Sequence, residues 1–183
     1  MTSESLARAL DQTERLIAAV GPDRASLPTP CPQWTVRDLV EHLVGADLHN
    51  FVVRARGETV EWTAAPEPLG DDWVAQFHDA ATHLQAAWSE ADPSAPEFAA
   101  SVDQQITELS VHDWDLALAL GVGDTLDEAL AEHALAWART MLRPEHRGPD
   151  KAIGLEVPVP ADAAAYARLA GFFGRDPAWR PPS

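Results

Sequence analysis

Apolar residues recur at spacings of three and four along several long stretches of this chain, and prolines fall between those stretches, never inside them. That spacing marks one face of a helix, and with little competing alternation it predicts an all-α protein whose helices bury their apolar faces against one another. The first helix is expected over residues 3–20, with Leu6, Leu10, Thr13, Ile17 and Val20 on one face and Gly21 as its stop. Pro22, Pro28, Pro30 and Pro32 then forbid regular helix and favour a fixed, extended connection able to pack across a bundle end. Thr35-Val36-Arg37-Asp38 reads as a capping box with Asp in place of Glu, so a second helix should run over 36–56, ahead of Gly57. After an irregular Pro-rich linker over 63–69, Asp71 or Asp72 opens a third helix at Trp73 that ends before Asp92-Pro93. Ser101 should cap a fourth over 102–120, stopped by Gly121 and Gly123, with Val102, Ile106, Leu109, Leu116 and Leu120 as its core stripe. Thr125-Leu126-Asp127-Glu128 is a second capping box for a fifth helix over 126–142. An extended piece at 155–159 and a last short helix over 161–173, stopped by Gly174, complete the reading.

Composition narrows the class. A chain of 183 residues suits one domain with a substantial core, spanning 1–183. The net charge of -16, from 29 acidic against 13 basic residues, argues against a nucleic-acid or anionic-membrane partner, since both need Lys/Arg patches. No basic-then-apolar leader and no apolar run of about 20 residues occurs, so a cytoplasmic location is expected. The single Cys31 has no internal disulfide partner and fits a reducing compartment.

Within the fourth helix, Glu108 and His112 are four apart and face one volume. A carboxylate and an imidazole so placed can hold one divalent metal, but a third donor must come from elsewhere. His42 is the candidate: it borders the apolar face of the second helix, beside the small Gly45 and Ala46. Three ligands leave open positions, the arrangement of a catalytic metal; zinc comes first, with Fe(II), Ni(II) and Mn(II) also allowed by ligand type. Asp115, three residues after His112, is placed to orient a ligand imidazole. Asp113 falls inside the apolar stripe and His49 stands about 10 Å along the axis from His42, so both are expected to line the cavity rather than bind the ion. His78 and His83 diverge by about 140° and belong on the surface, whereas His133, at an apolar position, reads as a hydrogen-bonded core residue.

Two long motifs carry a resemblance. Residues 29–43, Thr-Pro-Cys-Pro-Gln-Trp-Thr-Val-Arg-Asp-Leu-Val-Glu-His-Leu, and residues 107–117, Thr-Glu-Leu-Ser-Val-His-Asp-Trp-Asp-Leu-Ala, resemble the metal-binding domain of the mycothiol-dependent maleylpyruvate isomerase family. That family belongs to the DinB/YfiT-like four-helix bundles, and Gly174-Arg175-Asp176-Pro177-Ala178-Trp179 is similar to the ending of its single-domain branch. The resemblance implies a four-helix bundle with short C-terminal helices, and a metal, typically zinc, held by residues matching His42, Glu108 and His112. It also implies a mycothiol thiol acting at that metal. Asp113 stands where relatives commonly have Gly, and the isomerase's extra C-terminal domain is lacking, which turns the expectation away from maleylpyruvate isomerisation itself. A metal favours the thiolate, the nucleophilic form, at neutral pH. Cys31, between two prolines, reads as a small packed residue, so the thiol would come from the cofactor. The expected partners are therefore a small-molecule thiol and a small electrophile, taken up by a monomer or homodimer, with S-transfer favoured over thiol-assisted isomerisation. Two alternatives stand beside this: a thiol-independent metal hydrolase using His49 or Asp113 as base, and a non-catalytic metal-binding or stress protein.

Overall fold

The computed structural model describes residues 2–32, 34–62, 68–148, 151 and 153–181. Among these no strand forms; seven α-helices do. They are α1 (Thr2–Ala18), α2 (Val36–His42), α3 (Leu48–Ala55), α4 (Trp73–Glu90), α5 (Phe98–Leu120), α6 (Glu128–Met141) and α7 (Ala165–Phe172). A π-turn over Leu43–Asp47 joins α2 to α3, so the two form one continuous rod. That rod, α1, α4 and α5 make a four-helix bundle, and α6 and α7 lie against the outer side of α5. The all-α architecture is the one that the spacing of apolar residues demands. No helix among the described residues is long and apolar enough to cross a membrane.

α5 is the axis of the molecule. It touches α1, α2, α3, α6 and α7, and is buried on nearly every side. Toward the bundle it offers Val102, Ile106, Leu109 and Leu116; toward α6 and α7 it offers Val111 and Trp114, which join Leu135, Tyr166 and Leu169 in a second apolar cluster. A helix covered on nearly every side forms part of the core, and each of its fully buried Leu or Ile side chains contributes roughly 1.5–3 kcal/mol.

Several expected boundaries shift, each for a physical reason. α1 ends at Ala18, and Gly21 has φ -75° rather than a left-handed stop, because the residue before Pro22 is driven extended. α5 begins at Phe98, one turn early; Ser101 is an interior residue, and its hydroxyl accepts from Arg54 Nε at 2.8 Å instead of capping. α6 begins at Glu128 under an Asp127 cap, because Thr125 closes a 3-10 turn by donating to the Val122 carbonyl. Residues 155–159 pair with no strand; Val157 N–H donates to the Gly171 carbonyl at 2.8 Å and seats this segment on α7. That close approach needs Gly171, where a Cβ would fall 2.7 Å from the Val157 carbonyl oxygen. α7 occupies only the latter part of 161–173, but Gly174 at φ +84° does stop it. Of the linker over 63–69, residues 63–67 lie outside the described residues.

Candidate metal centre

The site is assembled from three segments whose local structure is fixed independently. The first is the proline-rich connection. Pro28 and Thr35 form a bridge, and the Thr29 hydroxyl donates toward the carbonyls of Trp34 and Cys31, at 3.0 and 3.1 Å. This bracing sets Trp34 over the imidazoles, with ring centroids 4.6 Å from His42 and 5.6 Å from His112. An indole so placed screens the histidines from water.

The second segment is the α2–α3 rod. Its start is fixed by the Thr35 box: Asp38 N–H donates to Thr35 Oγ1, and Thr35 N–H donates to Asp38 Oδ2 at 2.8 Å. His42, seven residues on, closes α2 and the π-turn follows at once. In that turn Leu48 N–H donates to the Leu43 carbonyl, an i to i+5 bond. Residues five apart therefore share a face here, as residues four apart do in an α-helix. The consequence is that Asp47 stands over His42, its Oδ2 3.5 Å from His42 Nε2. The same added residue turns His49 away: it is exposed, and the expectation that it lines the cavity is corrected.

The third segment is α5. His112 is buried, and its Nδ1 lies 3.1 Å from Asp115 Oδ2. Asp115 is in turn gripped by Arg175, whose Nε and an Nη donate to its two oxygens at 3.3 and 3.0 Å. A carboxylate held this way only accepts, so His112 Nδ1 carries the proton and Nε2 presents its lone pair. The His42 and His112 ring centroids are 5.1 Å apart. Asp113, one position on, is rotated about 100° and faces α1 instead. Its oxygens accept from Gln12 Nε2 at 2.8 Å and the Thr13 hydroxyl at 2.7 Å, so the expectation that it lines the cavity is corrected too. Its acid group is satisfied by packing partners that the sequence does not place next to it.

Electrostatics at the site are dominated by burial. It pushes His42 down to about 3, with His112 adding to the effect, so the ring is neutral. It pushes Asp47 well above the usual carboxylate range, reinforced by Glu108, and raises Glu108 as well. Cys31, beside Asp115 and Arg175, is pushed up to about 11 and stays a thiol. With side chains as they stand, no group of three or more His, Cys, Asp or Glu among the described residues is arranged to hold a metal ion. His42, His112 and Asp47 face one another, and Glu108 is near enough to raise Asp47 further while His112 opposes the rise in Glu108.

The other histidines lie elsewhere. His78 and His83 are exposed, His78 Nδ1 lying 3.2 Å from Glu14 Oε1, and half-buried His133 contacts Asp103 Oδ1 through Nε2 at 2.9 Å. A cavity of about 430 Å³ opens at the opposite end of α5, between Arg54, Trp88 and Phe98, and includes none of the donors. Sequence reasoning missed Asp47, Trp34 and Arg175. Trp34 and Arg175 sit inside recognisable motifs and could have been singled out from them, whereas Asp47 carries no signal under α-helical spacing.

Residues 6–117 match the family described as the Mycothiol maleylpyruvate isomerase N-terminal domain. Two proteins from two strains of Mycobacterium tuberculosis, both described as uncharacterized, are 33% identical over 177 residues, covering 92% of this chain and 94% of their own length. No solved structure matches the chain significantly.

Proposed function

The chain belongs to the family of the mycothiol maleylpyruvate isomerase N-terminal domain, and from that premise we propose that it is a metal-dependent enzyme acting on a small electrophile with a low-molecular-weight thiol, such as mycothiol. His42, Glu108 and His112 would hold a divalent ion, zinc first among the candidates. The observation that carries this reading is the imidazole pair. Two rings bound through nitrogen to one tetrahedral ion at about 2.0–2.1 Å have centroids about 5 Å apart, and these stand at 5.1 Å.

When bound, the ion supplies the Lewis acidity that favours a thiolate at neutral pH. The chain's own groups do the rest. Asp115, fixed by Arg175, keeps the proton on His112 Nδ1 and so keeps Nε2 free to ligate. Trp34 shields the imidazole pair from bulk water. Cys31, held as a thiol, leaves the nucleophile's place to a thiol from solution. Formation of a bond between that thiol's sulfur and the electrophilic carbon, with the thiol proton and the displaced leaving group released to solvent, is the favoured outcome.

Metal analysis on protein purified without a His tag tests the reading. Wild type should carry close to one equivalent, and His42→Ala and His112→Ala should each lose most of it while keeping helical circular dichroism. Unchanged stoichiometry in both variants rejects the site. Calorimetric titration with mycothiol and a des-thiol analogue then tests the thiol, whose role falls if the two bind equally.

A further inference from the structure

The family's three-residue donor set leaves one buried acid at the site without a task. Asp47 is 5% exposed, and its Oδ2 has no hydrogen-bond partner. A buried oxygen without a donor is costly, and a carboxylate with none costs more. Nothing in the bundle core requires an acid at this position, whereas a π-turn, itself an irregularity, brings it over His42.

The charges around it form an incomplete set. Asp115 is paired with Arg175. What remains is a second carboxyl group on α5, Glu108, which with Asp47 carries two negative charges when both are ionised. A divalent cation supplies the matching +2. The spacing agrees: donors about 2.0–2.2 Å from a shared ion stand roughly 3.0–3.5 Å apart, and Asp47 Oδ2 lies 3.5 Å from His42 Nε2 without a hydrogen bond between them.

We propose that Asp47 is a fourth protein donor at this centre, its Oδ2 joining His42, Glu108 and His112 on one divalent cation. This rests on the metal reading above and extends it: the centre becomes two imidazoles with two carboxylates, neutral once loaded. A centre with four protein donors admits a thiol or substrate by expanding to five positions or by release of one donor.

The test uses full-length wild type, Asp47→Asn, Asp47→Ala and His112→Ala, each stripped of metal and titrated with Co(II) and with Zn(II) against a chromophoric chelator. Asp47→Asn and Asp47→Ala should bind at least about ten-fold more weakly and shift the visible Co(II) bands, which report coordination number. Stripped Asp47→Asn should melt no lower than stripped wild type, since the group removed is an uncompensated buried acid. Equal affinity and an identical Co(II) spectrum in both Asp47 variants, with binding lost in His112→Ala, overturn the fourth donor while leaving the three-residue site in place. A lowered melting temperature in the stripped Asp47→Asn variant, with affinity unchanged, assigns Asp47 to folding and overturns the proposal as well. Absence of binding by wild type overturns both readings together.

Discussion

The two helical rods that face each other across the site follow different rules. α5 is a regular α-helix of 23 residues, and along it Glu108, His112 and Asp115 fall on one side by ordinary three- and four-residue spacing. The α2–α3 rod breaks its period right after His42, so the group over that histidine is five residues away. Regular geometry makes a face that repeats, and a π-turn makes a local exception without displacing the helix beyond it. Here the exception is spent on a polar group, Asp47, while Leu43, Leu48 and Phe51 on either side keep their places in the core.

Single-residue deletions should separate the two rods most sharply. Removing Ala46 lets the π-turn relax to an α-helix, keeps both flanking faces in register and leaves the acid one turn from His42; stability should change by no more than about 1 kcal/mol. Removing Val111 rotates everything beyond it on α5 by about 100°, taking Leu116 and Leu120 out of the core and carrying His112 and Asp115 together away from His42 and Arg175. At roughly 2–5 kcal/mol per displaced core side chain, that variant should not fold. Urea titration followed by circular dichroism decides, and equal tolerance of both deletions would mean that the two rods do not differ as described.

Next in size is the tie that fixes α5 from outside. Arg175→Ala leaves Asp115 ionised and buried without its partner, and should cost about 3–5 kcal/mol in urea unfolding. It should also loosen the hydrogen bond on His112 Nδ1, visible as a shifted imidazole signal in NMR. A loss below about 1 kcal/mol would show that α5 holds its own carboxylate.

The smallest effect concerns the opposite side of α5. Burial raises Asp113 from 3.8 to about 7 in the folded chain, against hydrogen bonds from Gln12 and Thr13 that favour the charged form. A folded-state value above the unfolded one means that the folded chain holds the proton more tightly. This contribution is therefore fully present below about pH 4 and lost as pH rises through about 7. Wild type should lose stability across that window relative to Asp113→Asn, by up to about 1.4 kcal/mol per pH unit. Parallel pH profiles for the two proteins would contradict this.

What the sequence made legible follows the same division. Where backbone hydrogen bonds repeat, as on α5, apolar spacing located the core stripe and put Glu108, His112 and Asp115 on one side of the helix. Ser101 was misjudged because a side chain 47 residues away, Arg54, claims its hydroxyl. Asp113 was misjudged because Gln12 and Thr13, about a hundred positions earlier, supply its partners. His49 faces outward and the unremarked Asp47 inward for a different reason: a one-residue change of helical period decides which of them faces the site, and no residue type announces it. Chain-local rules recover local faces; partners far apart in sequence, and irregular turns, belong to the folded state alone.

Arg175 lies 60 residues beyond the carboxylate it grips, and beyond the stretch matched by the family. At about 5–20 residues per second, a ribosome makes His112 and Asp115 roughly 3–12 s before it makes the guanidinium that locks them. Until then the ring is free to adopt either tautomer. The orientation of His112 is thus set only after synthesis has passed residue 175, and any chain cut before that residue would keep its histidines but not their orientation.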